Sequence, residues 1–202
     1  MAMRSIKKDN DGSPSILGED VVKVVVIGEP QVGKTSFIRA FYQHHEPGPR
    51  YSHNGVDVYI CEFKVNGTCK RAAIFEIPGD AGFFHEQRPP HYEDAKVIVL
   101  MYAIDDPLSL ELLTDKWLPE ASQMVSSDGI PVVLVGNKKD LRDDQYVIAR
   151  FDLNDETPVT YEQGEDLLVH ERIKYFAEIS TDNLEEVNAA FDLIFSFALY
   201  ED

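Results

Sequence analysis

Gly28-Glu29-Pro30-Gln31-Val32-Gly33-Lys34-Thr35 directly follows the apolar run Val24-Val25-Val26-Ile27 and leads into a helix-like stretch from Lys34 to Tyr42. The eight residues fit G-x-x-x-x-G-K-[ST] between a strand and a helix, the setting of a phosphate-binding loop. Its glycines let backbone N–H groups turn inward around a polyphosphate, and Lys34 reaches the terminal phosphates. The hydroxyl of Thr35, followed by Ser36, suits a bound Mg²⁺. The predicted phosphate contacts are therefore Glu29, Pro30, Gln31, Val32, Gly33, Lys34, Thr35 and Ser36.

Outward from this loop the chain alternates strands and helices. Val56 to Val65 alternates through Val58, Ile60 and Phe63, turns at Asn66-Gly67 and returns as Thr68 to Ile77, a hairpin signal. Val97 to Tyr102 and Val132 to Val135 are continuous apolar runs, as in strands covered on both faces. Leu110, Leu113, Trp117, Ala121 and Met124 recur at helical spacing, with Pro119 expected to kink or interrupt that helix. Leu184, Val187, Phe191, Ile194 and Ala198 give an amphipathic closing helix whose aromatic residues belong to the core.

The base is chosen by a second motif. Asn137-Lys138-Lys139-Asp140 follows a strand, at the carboxyl end where an open parallel sheet places its ligands. A carboxylate at Asp140 accepts from the ring N–H and exocyclic amine of guanine, a donor pair that adenine lacks. The stem of Lys138 can lie on the ring, and Ser180 and Thr181, after the last strand, would add backbone and hydroxyl contacts. An ATPase or kinase reading of the phosphate loop is disfavoured by this motif.

With these motifs the chain resembles the Ras superfamily of small GTPases over about residues 21 to 200, and within it the Rho family. Lys116-Trp117-Leu118-Pro119-Glu120 is similar to K-W-x-P-E, Leu141-Arg142-Asp143-Asp144 to L-R-D-D, and Thr157 to Gly164 to T-P-I-T-Y-x-Q-G. A secondary resemblance, through Gly28-Glu29-Pro30 and Val135-Gly136-Asn137-Lys138, is to mitochondrial Rho (Miro) proteins. The resemblance implies an α/β small-GTPase fold of the P-loop class: a mostly parallel six-stranded sheet with one antiparallel edge hairpin and helices on both faces. It implies a domain over 21–202 with a Rho-type insert near 143–157, after a flexible tail over 1–20. It further implies GTP/GDP and Mg²⁺ as ligands, and effectors, exchange factors and GTPase-activating proteins meeting the segments Pro47 to Asp57 and Glu76 to Tyr92.

Departures from the family pattern fall on those two segments. Where relatives carry D-T-A-G-Q, this chain has Glu76-Ile77-Pro78-Gly79-Asp80, so Glu76 takes the metal-side acid, Gly79 the γ-phosphate N–H and Asp80 the place of the water-orienting Gln. An alternative register uses Asp80-Ala81-Gly82. Asn54 falls where a Thr would sense metal and phosphate, with Ser52 as a substitute. Glu46 stands in place of an aromatic beside the guanine, for which Phe41, Tyr42 or Tyr51 could compensate. The expected catalytic set is Lys34, Gly79 and Asp80, and the expected metal set Thr35, Asn54 and Glu76. Turnover is accordingly expected to be slow, with a pseudo-GTPase that holds nucleotide without cycling as the alternative.

Composition bounds the rest. The 202 residues carry 19 basic and 36 acidic side chains, net −17, which argues against nucleic acid as a partner. Cys61 and Cys69 are the only cysteines, fit a reduced compartment, and could face each other across the hairpin. No apolar run reaches the ~20 residues of a membrane span. Neither terminus shows a lipidation signal, so the expectation is a cytoplasmic protein that reaches membranes only through partners. His44, His45, His53, His85 and His91 show no ligand spacing, and Asp152 to Glu156 lacks a calcium-loop pattern.

Overall fold

The computed structural model describes residues 21–45, 47–53, 55–65, 67–79, 89–124 and 130–199. The segment 1–20, Glu46, Asn54, Asp80 and the alternative acid register built on it, and His85 lie outside these residues.

β1 (Val21–Gly28) runs into the phosphate loop and α1 (Lys34–His44). β2 (Pro47–His53), β3 (Val56–Val65) and β4 (Thr68–Glu76) form an antiparallel meander, followed by the short helix α2 (Pro89–Tyr92) and β5 (Val97–Ala103). α3 (Pro107–Leu112) and α4 (Leu118–Met124) flank a π-helical turn at Leu113–Trp117. β6 (Val132–Asn137), α5 (Gln145–Asp152), α6 (Tyr161–Glu165), β7 (Ile173–Glu178) and α7 (Leu184–Leu199) complete the chain. One sheet holds the order β2-β3-β4-β1-β5-β6-β7. The pairs β4–β1–β5–β6–β7 are parallel.

β1 shows why the sheet is covered twice. Val24 and Val26 face one core with Phe37, Phe41, Phe191 and Phe195 of α1 and α7; Val25 and Ile27 face the other with Leu100, Tyr102, Trp117 and Leu134. Alternate residues of a strand point to opposite faces, so an unbroken apolar run is what two helical layers require. The aromatic stripe of α7 is core: Phe191 stacks on Phe37 at 4.5 Å and on Phe41 at 4.1 Å between ring centroids, and Phe195 on Phe63 at 3.7 Å.

The structure corrects three sequence readings and locates a fourth. The sheet has seven strands, not six, because Pro47–His53 pairs along β3, with Arg50 opposite Tyr59 and His53 opposite Val56. Pro47 and Pro49 hide this strand from a pattern reading, yet an edge position tolerates them since no ladder bond is needed on the outer side. The long helix is interrupted on account of Pro119, as expected, in the turn that precedes it. A proline ring collides with the carbonyl four residues back, that of Asp115, and the wider π-turn lies over that position, leaving Pro119 in the first turn of α4, where its missing N–H costs nothing. Cys61 and Cys69 do not face each other: Cys61 is buried opposite Ala72, and Cys69 is exposed opposite Lys64. Burial pushes the Cys61 thiol up to about 12. Phe41, finally, is fully enclosed in the α1–α7 core and is unavailable to a bound base.

Candidate functional site

The parallel register brings Gly28, Glu76, Ala103, Asn137 and Glu178 to one edge of the sheet, the carboxyl edge. Everything in the two motifs hangs from that edge. Gly33 has φ +96°, and a Cβ there would stand 2.1 Å from Asn137 Nδ2, so the loop's last glycine is demanded by both its backbone and its neighbour. Asn137, buried, donates from Nδ2 to the Val32 carbonyl at 2.9 Å and so ties the base motif to the phosphate loop. Its Oδ1 is also buried and has no hydrogen-bond partner among the described residues. A buried acceptor left unpaired costs roughly 1–3 kcal/mol, a debt that a ligand donor removes.

Within the loop, the Lys34 ammonium is buried and donates to the carbonyls of Gly28 at 2.9 Å and Glu29 at 2.8 Å. Gln31 holds φ +65°, unusual for a side chain with a Cβ. The amino end of α1 follows at once, and Phe37 N–H already bonds Gly33 O at 2.9 Å, so the free N–H groups of the first turn and the helix dipole face the same space. The Thr35 hydroxyl donates to Glu76 Oε1, and the Tyr59 hydroxyl stands 3.4 Å from Oε2. Glu76 is therefore the acid at the mouth of β4 beside the loop. Gly79 lies against the loop itself, where a Cβ would come within 2.3 Å of the Gly28 carbonyl. Ser36 is exposed one residue beyond Thr35, and Ser52 is exposed in β2 opposite Asp57, which in turn stands opposite Glu76. Asn54 and Asp80, proposed as metal and catalytic residues, fall outside the described residues.

The base side is built from cross-links. Lys138 takes a left-handed φ of +62° and its ammonium meets Asp105 Oδ1 at 2.9 Å; Asp140 presents an exposed carboxylate from the following turn. Lys139 N–H bonds Ile179 O at 3.0 Å, joining this turn to the segment after β7. Ser180 is buried, its N–H is given to Glu186 Oε2 at 2.9 Å, and its hydroxyl accepts from Asp182 N–H at 3.3 Å. The Ser180 N–H is thus spent inside the protein. Lys139 also pairs with Glu186, and this with the Ser180 N–H holds the Glu186 carboxyl below its usual range against the opposing effect of burial.

Two side-chain networks escaped sequence reasoning. Arg142 grips Glu178 with both terminal nitrogens, at 2.7 and 2.5 Å, and donates from Nε to Val159 O at 2.9 Å. The Glu178 bond raises the Arg142 pKa further, and burial raises that of Tyr102, whose hydroxyl lies 3.4 Å from the same carboxylate. The second network is that of Glu29, whose Oε1 accepts from Lys116 Nζ at 2.5 Å and Trp117 Nε1 at 2.9 Å. With Glu120 accepting from the Tyr92 hydroxyl at 2.7 Å, the K-W-x-P-E stretch is a strap across α2, the π-turn and the phosphate loop. A glutamate in a phosphate loop, needing a cation, was the available signal.

The sequence pattern of the Ras family matches residues 23–199. The chain is 29% identical to the human Rho-related GTP-binding protein RhoB over 170 residues, covering 84% of this chain and 85% of that protein.

Proposed function

The chain belongs to the Ras family of small GTPases, and from that premise we propose that it is a Rho-like guanine-nucleotide switch with slow GTP hydrolysis. The observation that carries this reading is the meeting of Thr35, Glu76 and Gly79 on the phosphate loop, with Asp140 and the unpaired Asn137 Oδ1 at the base end of the same edge. An ATPase or kinase role is set aside by family membership and by Asp140.

In this reading the loop N–H groups and the first turn of α1 receive the phosphates, and Lys34 turns from the Gly28 and Glu29 carbonyls to phosphate oxygens. Asp140 accepts from guanine, the Lys138 stem flanks the ring, and the Thr181 N–H serves the base. Thr35 and Glu76 fit a Mg²⁺ ion, having a hydroxyl and a carboxylate already in contact; when bound, the ion supplies positive charge to the phosphate oxygens. Gly79 offers its N–H to the γ-phosphate. Asp80 brings a short, negative side chain to the place of a water-orienting Gln, beside a phosphate of like charge. Unaided members of the family hydrolyse on the order of 10⁻⁴ s⁻¹, and Asp80 lowers this further. Effectors, exchange factors and activating proteins are assigned to the segments Pro47 to Asp57 and Glu76 to Tyr92. The charge of −17 repels anionic leaflets, and no described helix is long and apolar enough to cross a membrane; we assign the protein to the cytoplasm, with recruitment to membranes through partners.

Two measurements test this. Nucleotide released by denaturing the purified protein is expected to be GTP or GDP; a preparation that binds ATP as tightly as GTP in competition sinks the assignment. Single-turnover hydrolysis with Mg²⁺ is expected to run slower than in a typical Rho protein. A rate at or above that level removes Asp80 as the cause of slow turnover, and complete absence of hydrolysis over hours favours a binding module that does not cycle.

A further inference from the structure

Glu29 places a carboxylate in the second position of a loop that receives polyphosphate, where negative charge opposes the ligand. Its side chain is only 18% exposed, so water screens it poorly. Lys116, on the π-turn, answers that charge at 2.5 Å, and its ammonium lies 4.2 Å from the centroid of the Trp117 ring, whose N–H donates to the same carboxylate oxygen. The carbonyl of the same Glu29 accepts from Lys34 at 2.8 Å. One residue therefore couples the cation inside the cradle to a cation outside it, and the outer one is 37% exposed.

We propose that Lys116 is a positioning residue that sets the affinity of the phosphate loop, by cancelling the Glu29 charge from the neighbouring helix. The inference rests on the reading of the loop as a GTP/GDP site. Without Lys116, Glu29 faces the phosphates uncompensated, and nucleotide leaves faster. Without both, the repulsion is gone and retention returns. A purely structural brace behaves differently, since removing its second half repairs nothing.

The test is the release rate of a fluorescent GDP analogue from the full chain at fixed Mg²⁺, in wild type, Lys116→Met, Lys116→Arg, Glu29→Gln and the double variant Glu29→Gln/Lys116→Met. Lys116→Met is expected to release about tenfold faster, the scale of one unscreened charge pair at moderate effective dielectric. Lys116→Arg is expected to stay near wild type, and the double variant to return to within about twofold of Glu29→Gln. A double variant as fast as Lys116→Met, or an equally fast Lys116→Arg, overturns charge cancellation. An unchanged Lys116→Met overturns the proposal outright. Failure of wild type to bind GDP at all would instead strike the function on which the proposal rests.

Discussion

The two ends of the nucleotide edge are built to opposite plans. At the base end, Arg142 clasps a Glu178 whose side chain is 4% exposed, and Lys139 N–H and Ile179 N–H bond across the ends of β6 and β7. At the phosphate end, β2 is an edge strand whose Pro47, Pro49, Arg50, Tyr51 and Ser52 are all exposed, and its Arg50–Asp57 pair is open to water on both sides. The proposed base contacts thus sit on a cross-linked scaffold. The segment proposed to sense phosphate includes a strand held along one side only, where few buried contacts oppose movement.

Cutting a link at each end gives the largest contrast. Glu178→Ala leaves Arg142 without its partner and is expected to cost about 3 kcal/mol, or roughly 6–12 °C in melting temperature for a domain of this size. Arg50→Ala is expected to leave the melting temperature unchanged within error, as befits an exposed pair. Equal losses in thermal melts would erase the difference between the two ends.

Specificity and turnover separate next. Asp140→Ala is expected to reduce the preference for GTP over ATP by about 10²-fold in competition titrations, because a polar group built to read donors discriminates strongly. Asp80→Gln is expected to leave that preference intact and to raise single-turnover hydrolysis by less than about tenfold, under ~1.4 kcal/mol of barrier. A change of base preference in Asp80→Gln would show the ends to be coupled.

The smallest effect is a control from the opposite edge of the sheet. Lys23 is buried, donates to Glu93 O at 2.6 Å and lies 4.5 Å from the Phe75 centroid; burial lowers its pKa from 10.5 to about 8, with Asp94 and Glu93 opposing. Since the folded value is the lower one, the unfolded chain binds more protons between about 8 and 10.5. The cost of burying the charge is complete below about 8 and is relieved as pH rises through that window. Wild type should therefore gain stability relative to Lys23→Met from pH 8 to 10 in denaturant titrations, with base preference unmoved. A falling difference would mean that Lys23 stays charged in the folded state.

What was legible in the sequence follows the same division. The loop from Gly28 to Thr35 and the turn from Asn137 to Asp140 are local: their backbone geometry and chemistry lie in consecutive residues, and unbroken apolar strands announce where they end. Glu76 lies at a fixed count from the Asn66-Gly67 turn, because Val65 pairs with Thr68 and the β3–β4 register runs unshifted to Asp57 opposite Glu76. β2 was not legible, since two prolines contradict a strand unless its outer side is known to be free. The Glu29–Lys116 and Arg142–Glu178 pairs span 87 and 36 residues, and nothing local says which cation meets which acid. Ser180 looked like a donor to the base because the use of its N–H by Glu186 depends on how α7 leaves the sheet.

The π-turn at Leu113–Trp117 has a consequence for how this helix tolerates changes of length. A regular α-helix advances about 100° per residue, and a π-turn accommodates one residue more than an α-turn before returning to phase. Deleting one residue within Leu113–Trp117 would let α3 and α4 fuse into a continuous helix, interrupted only by the steric objection of Pro119. Because the turn already holds the one extra residue, the flanks would stay in phase, and what would be lost is the local widening that presents Lys116 and Trp117 to Glu29. A single-codon deletion here should therefore leave Glu120 on Tyr92 and yet disconnect the helix from the phosphate loop.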